Sequence, residues 1–444
     1  MNREIVDIID YAASKLIKLH NLPGAAVSIV VDGKVRLTKG YGVRDTQTKV
    51  PVDKNTVFQL ASVSKTFGGT MLARLVQAEK VKYSDPTGIV VQDPYVSQHN
   101  SYLDAACHRT GLPDHYGNFA ETVGYNRKQI LDMLQYAPIT EFRAVYSYQN
   151  VFFSKAIENA ISQAGYSTSR YWDEFTSELG LRSTSYTYSD FLKQTNKATQ
   201  HINGEPSYFY NTDAQYFAGG VSSNAEDAGR YLKYLISADL GTEYEAGINS
   251  TSASGGYAVG TSVGYVKKLG TTQLYKFHDH SGALETGTSS QILWSKDLNC
   301  GISVMCNFLG YPLAKHLCSL FMYLAIGESI DTSYKRAESD SREFAEAVKM
   351  SVEKLQISPI RTPLASLPSG HYSNPQFGTV LIQGSRIKIG QLKTSTLHLT
   401  DKPNIYQTRV VTSQGQPIKF EVLTTPNKLI LTDSLSEKYE YDLY

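Results

Sequence analysis

The amino-acid sequence predicts an α+β fold followed by a small all-β unit, and three observations carry that prediction. First, an amphipathic helical pattern (Ile5, Ile8, Ile9, Ala12, Leu16, Leu19) leads into a hairpin. Residues 24–31 and 34–40 read as its strands, and Asp32-Gly33 as the tight turn between them. Second, the chain from 255 to 308 alternates and turns like a β-meander, with strands expected over 257–265, 273–277, 289–294 and 301–306. Third, short alternating stretches fill 370–444, separated by turn residues at Gly378, Gly384, Gly390, Asp401, Gly415 and Asn427. That last pattern is a small barrel or sandwich.

Helices account for much of what lies between. Residues 126–137 form one, and Val151, Phe152, Ala156, Ile157 and Ile161 mark a second. Gly219-Gly220 precedes a third, bearing Ala228, Tyr231, Leu232 and Leu235, and residues 311–328 make an apolar fourth. The polar stretches 83–102 and 187–215 read as loops. A charged, helix-prone segment from 334 to 355 runs into Pro359, Pro363 and Pro368, which mark a linker. At 444 residues the chain exceeds one typical domain. The expected division is 1–330, a helical linker at 331–368, and a small β-barrel at 369–444.

Composition narrows the function classes. A net charge of +1 gives no reason to expect nucleic acid or an anionic membrane surface as partner. No run of eighteen apolar residues predicts a transmembrane helix. The first helix lacks the apolar core of a secretory signal, which leaves the compartment unassigned. Cys107, Cys300, Cys306 and Cys318 show no zinc-type spacing, so no metal site is expected and the four read as buried free thiols.

The chemistry centres on Ser62-Val63-Ser64-Lys65. An apolar run ends at Ala61, and Phe67, Met71, Leu72, Leu75 and Val76 then give a helix one apolar face. Ser62 stands at that helix start, where its plain reading is an N-cap. Lys65 is three residues on, nearly one turn away and on the same side. A lysine desolvated against such a helix can act as the base that a serine nucleophile requires, and the helix N-terminus can stabilise an oxyanion.

Three further places attract notice. His108-Arg109, at a helix end before Gly111 and Pro113, reads as a capping and surface pair. Tyr148-Gln149-Asn150 brings a phenol and an amide to the entry of the Val151 helix, with Tyr146 as a rival phenol. His280-Ser281-Gly282-Ala283 reads as a turn between strands whose small residues let backbone approach a substrate. Gly260-Thr261-Ser262-Val263-Gly264 matches a nucleophile-elbow pattern, but strand-like residues continue past it where a helix is required.

Taken in order, Ser62-Val63-Ser64-Lys65, Tyr148-Gln149-Asn150 and His280-Ser281-Gly282 resemble the serine β-lactamase and penicillin-binding protein superfamily, in its class C-like branch. That branch also holds esterases and D-aminopeptidases. The Gly24 hairpin, the 108–113 block, the 142–150 block and Ala218-Gly219-Gly220-Val221 fall in family order too. The resemblance covers roughly residues 5–328. It implies a β-lactamase/transpeptidase-like domain, an antiparallel sheet flanked by helices plus a helical lobe, and a lipocalin-like C-terminal barrel.

The roles that the resemblance implies are Ser62 as acylated nucleophile, Lys65 as its base and Tyr148 as partner base. Asn150 would hold the substrate amide. His280 stands where many relatives have lysine, and the N–H groups of Ser62 and Ala283 would form the oxyanion hole, with Ser281 and Gly282 lining the site. No cofactor is implied. The implied activity is that of a serine hydrolase working through an acyl-enzyme on a small-molecule or peptide substrate: an ester, an amide or a D-residue peptide. The alternatives are a true β-lactamase or D-Ala-D-Ala carboxypeptidase, and a non-catalytic binding protein that retains the fold. Histidine at 280 resembles the esterase and aminopeptidase members more than the β-lactamases.

Overall fold

The computed structural model describes residues 2–247, 249–252, 255–355, 365, 367–400, 402–411, 417–425, 427–432 and 438–443. Its frame is an eight-stranded antiparallel sheet. From one edge the strands run Lys34–Gly42, Gly24–Val31, Cys300–Cys306, Thr288–Ser295, Leu274–Leu284, Ser262–Lys267, Gly255–Tyr257 and Asn249–Ser252. The hairpin and the meander thus form one sheet, joined where Val27 pairs with Val304.

The Gly24–Val31 strand is buried along its whole length, which suits a run of Ala, Val and Ile covered on both faces. Ala25, Val27, Ile29 and Val31 face a core shared with helices Asn2–Leu19 and Leu313–Ala325. Ala26 and Val30 face the opposite core, with helix Ala225–Ser237 and the helical lobe beyond. Ser28 lies on that second side, and its hydroxyl donates to the Ala225 carbonyl. The helix Ser64–Gln77 lies on the same side of the sheet, against helix Val151–Gln163 and the turn Tyr216–Gly220.

Two expectations for the meander are corrected. The strand expected over 257–265 is broken at Gly260, whose φ of 71° is left-handed, so Tyr257 and Ser262 pair across a hairpin. A side chain at Gly260 would meet the Lys65 carbonyl, so the turn also lets the nucleophile helix sit close. The strand expected to end at Phe277 runs on to Leu284, so His280 to Ala283 lie within a strand rather than at a turn. Pairing with Thr288–Ser295 carries it past the point where local pattern weakens. The loop regions also hold short helices, Pro94–His99 capped by Asp93 and Tyr188–Lys193 capped by Thr187.

Helix Ile330–Leu355 begins packed against Leu313–Ala325. Ala337 is buried there, Tyr323 donates to Asp340 at 2.8 Å, and Arg336 pairs with Glu328 at 2.8 Å. Pro359 and Pro363 of the expected linker, and the turn residues Asp401 and Gly415, lie outside the described residues. The C-terminal unit is a closed antiparallel barrel of eight strands, from Leu367–Asn374 to Lys438–Leu443. It closes through Tyr372 opposite Leu443 and is filled by Val380, Ile382, Ile389, Phe420, Val422 and Leu431.

The barrel does not stand apart. Phe119, on the short helix Asn118–Thr122 of the helical lobe, stacks on Tyr439 with ring centroids 3.7 Å apart and meets Phe377 and Phe420 edge-on. Val123 belongs to the barrel's own core, and its carbonyl accepts from Gln391 N–H at 2.9 Å. The Tyr125 hydroxyl accepts from Thr379 N–H at 3.0 Å. All four cysteines are buried free thiols. Among the described residues, no cluster suited to a metal ion occurs, and no helix is long and apolar enough to cross a membrane.

Candidate active site

The strand Phe58–Gln59 pairs with Ser222–Ser223, and Leu60 N–H donates to Val221 O at 2.9 Å. Ala61 then takes a left-handed φ of 48°, unusual for a side chain with a Cβ. A 3₁₀ turn over Ala61–Val63 follows, and the α-helix starts at Ser64. Ser62 is therefore not an N-cap. Ser64 does the local work, its hydroxyl donating to Ala61 O and accepting from Val221 N–H at 2.9 Å. Ser62 is left partly exposed in the cleft that Tyr148 also lines, and its side chain acts on the Tyr148 phenol.

Lys65 is fully buried beneath. Its Nζ donates to Asn150 Oδ1 at 2.6 Å and to the Ala218 carbonyl at 3.0 Å, and lies 4.3 Å from the Tyr148 ring centroid. Burial pulls the ammonium well below its ordinary range, because the charged form loses its hydration. Burial pushes the Tyr148 phenol up, opposed by the bond to Ser62. Both shifts favour uncharged forms. A neutral amine has two N–H bonds, matching the two acceptors, and keeps its lone pair to take a proton.

Segment 108–118 holds the Tyr148 strip in place. Ser147 N–H donates to His108 O at 2.8 Å, Gln149 N–H to His108 Nδ1 at 3.1 Å, and His115 N–H to Tyr148 O at 2.8 Å. Asp114 accepts from Tyr148 N–H. The Asn150 amide bridges, with Oδ1 on Lys65 and Nδ2 3.4 Å from Asn118 Oδ1. Tyr146, the rival phenol, lines the cleft too, but it is the Tyr148 ring that lies against Lys65.

The far wall is the His280 strand. Gly282 crosses the Ser62 turn so closely that a Cβ would collide with Leu60 O, Ser290 Oγ and Ser62 N. Glycine is required there for contact. The strand Ser262–Lys267 pairs only as far as Asp279, which leaves 280–283 bordering the cleft. The result is a cavity of about 300 Å³ lined by Ser62, Tyr146, Tyr148, Tyr257, Ser262 and the 279–283 strand. The His280 ring is buried, its Nδ1 2.7 Å from Ser281 O and its Nε2 2.8 Å from the Tyr257 hydroxyl. Burial and nearby Lys65 hold its pKa down to about 3.

The structure thus brings together Ser62, Lys65, Tyr148, Asn150 and His280–Ala283. Ser262 lines the cavity too, but from a strand that follows a turn, without the helix an elbow needs. His108, read from sequence as a surface pair with Arg109, is fully buried under the Tyr148 ring, 4.4 Å between centroids. Arg109 instead pairs with buried Asp104 at 2.7 Å. Tyr257 is the other residue that sequence reading missed. A strand tyrosine carries no local signal, whereas the 108–113 block had already marked His108.

The profile of the Beta-lactamase family matches residues 10–317. Among characterised proteins, the chain is 33% identical over 102 residues to a beta-lactamase of Psychrobacter immobilis, covering 23% of either chain. It is 27% identical over 151 residues to the unguisins hydrolase ungD of Aspergillus violaceofuscus, 31% of this chain and 26% of that one. It is 25% identical over 315 residues to Protein flp of Staphylococcus aureus, 65% of this chain and 60% of that one. These matches span less than two thirds of each relative's length. Two solved structures share the fold, each at 18% identity. The octameric penicillin-binding protein homologue from Pyrococcus abyssi has a TM-score of 0.62 over 98% of this chain and 99% of that one. A class C beta lactamase has a TM-score of 0.60 over 73% and 98%.

Proposed function

The chain belongs to the Beta-lactamase family, and from that premise we propose that it is a serine hydrolase acting through an acyl-enzyme on an ester, an amide or a D-residue peptide. The observation that carries this reading is Ser62 sharing one cleft with Tyr148, whose ring lies against the buried Lys65 amine. A serine freed from capping, beside a phenol and an amine that burial keeps uncharged, has what nucleophilic attack needs.

In this reading Ser62 Oγ adds to the substrate carbonyl carbon while its proton passes to the Tyr148–Lys65 pair. The N–H groups of Ser62 and Ala283 hold the oxyanion. The bond to the leaving group breaks as that group takes the proton back from Tyr148. Water then gives a proton to the same pair and displaces the serine, which recovers it as the acid departs. Asn150 aligns Lys65 and presents its amide at the edge of the cleft. The neutral state of His280 supports an uncharged acyl donor over a penicillin or a D-Ala-D-Ala terminus, where a carboxylate calls for a cation. The named relatives include both beta-lactamases and an unguisins hydrolase, so the panel must reach across those chemistries.

The test is hydrolysis of nitrocefin, a short-chain nitrophenyl ester and D-Ala-nitroanilide, with fluorophosphonate labelling followed by intact mass. The expected result is ester or anilide turnover, one adduct on Ser62, and loss of both in Ser62→Ala. Equal labelling of Ser62→Ala, or an adduct on Ser262, overturns the assignment.

A further inference from the structure

We propose that Tyr257 is a positioning residue that makes the cleft selective for uncharged acyl donors, by holding the His280 imidazole as a hydrogen-bond acceptor that offers substrates no cation. The inference rests on the serine-hydrolase reading above and goes beyond it in naming what sets the substrate class.

The argument starts from the tautomer. His280 Nδ1 lies 2.7 Å from the Ser281 carbonyl, which can only accept, so the ring proton sits on Nδ1. In the neutral ring Nε2 is then an acceptor, and the Tyr257 hydroxyl at 2.8 Å donates to it. Tyr257 is itself buried on the strand Gly255–Tyr257, enclosed by the rings of His108, Tyr146 and His280 at 4.7, 5.7 and 5.7 Å. Protonating Nε2 means breaking this bond and turning a buried phenol proton away, with both groups short of water.

Nothing facing the ring rewards such a change. Lys65 faces it from the nucleophile helix, His108 from the end of helix Tyr102–Ala106, and Tyr146 and Tyr148 from the strip before Val151. These are bases and phenols, and among the described residues no carboxylate is directed at the ring. Asp279, next in the strand, turns to the other sheet face, where Gln291 Nε2 reaches it at 3.3 Å and Lys315 is near. A substrate carboxylate entering beside His280 therefore meets an acceptor lone pair already engaged, and burial keeps the ring neutral down to about pH 3. An uncharged acyl group meets no such conflict.

The test pairs two esters of similar length, 4-nitrophenyl butyrate and the anionic mono-4-nitrophenyl succinate, from about pH 5 to 8 with wild type and Tyr257→Phe. In wild type the anionic-to-neutral ratio of kcat/KM should be low and flat with pH. In Tyr257→Phe the space left by the hydroxyl admits cleft water to Nε2 and relieves the desolvation that holds the ring neutral, so the ring takes a proton as pH falls and the ratio should rise about tenfold near pH 5.5, mainly through KM of the anionic ester. Adding His280→Gln to Tyr257→Phe should remove that rise. Imidazole ¹⁵N shifts of His280 give a readout without turnover: an unchanging Nδ1–H tautomer in wild type, and a titrating ring in Tyr257→Phe. A ratio equal in wild type and Tyr257→Phe at every pH overturns the proposal, as does a ratio that rises while the ¹⁵N shifts stay fixed. If wild type turns over neither ester, or Ser62→Ala keeps the activity, the hydrolase reading itself fails and this inference falls with it.

Discussion

One stretch of chain, residues 108–125, makes two junctions by opposite physics. Its first half grips the Tyr148–Asn150 strip with backbone and polar bonds, from His108 O and Nδ1 to Asn118 Oδ1. Its second half enters the barrel by burial, with Phe119 among Tyr439, Phe377 and Phe420 and Val123 in the barrel core. Hydrogen bonds contribute little net energy each but demand direction, so they suit a place where a phenol must meet a hydroxyl. Aromatic burial contributes more and tolerates small shifts, so it suits adhesion between two folded bodies. Activity and barrel attachment should therefore separate under mutation even though they share one segment.

The largest effect is expected on the polar side. Lys65→Met removes the amine between Asn150 and Ala218, and kcat/KM on the responsive substrate should fall by roughly 10²–10⁴. A loss below tenfold in steady-state assays would mean that the polar junction is structural only. On the apolar side, Phe119→Ala should cost about 2 kcal/mol in denaturant melts, below a core phenylalanine because the ring is half-buried. Hydrogen exchange along Lys438–Leu443 should speed up, while kcat/KM changes less than tenfold. If Phe119→Ala matches Lys65→Met in activity lost, the two junctions are coupled. The prolines at 359, 363 and 368 lead to the expectation that residues 1–356 fold without the barrel. The junction adds that such a fragment would expose Phe119, Val123 and Tyr125.

A pH-dependent effect sits between the junctions. Glu121 shares the helix of Asn118 and Phe119, and its buried carboxyl accepts from Gln215 Nε2 at 2.6 Å and Tyr210 OH at 3.2 Å. Burial pushes its pKa up to about 8 from an ordinary value near 4.5. Between those values the folded state keeps a proton that the unfolded chain has released. Stability should therefore decline as pH rises from about 4.5 to 8, by up to ~1.4 kcal/mol per pH unit, and level off above. Glu121→Gln has no proton to lose and should flatten that slope in urea melts across the range. An unchanged slope would place the carboxylate in a solvated, charged state.

Short-range pattern carries the first hairpin and the order of the motifs. The apolar run of 24–31 and the Asp32-Gly33 turn located the first hairpin, with its second strand running two residues past the expected Gly40, because tight turns depend on neighbours in the chain. The i, i+3 spacing of Ser62 and Lys65 and the order of the three motifs pointed to the cleft for the same reason. Tertiary structure alone decided the rest. His108 and Tyr257 are drawn under the site by strands and segments far apart in the chain; the 108–113 block marks the first, whereas nothing local marks the second. The bond between His280 and Tyr257 exists only because the hairpin at Gly260 and the long Leu274–Leu284 strand bring 257 beside 280. The lowered Lys65, the raised Glu121 and the seat of the barrel on Phe119 all follow from burial, and burial is a sum over the whole fold that no window of sequence contains.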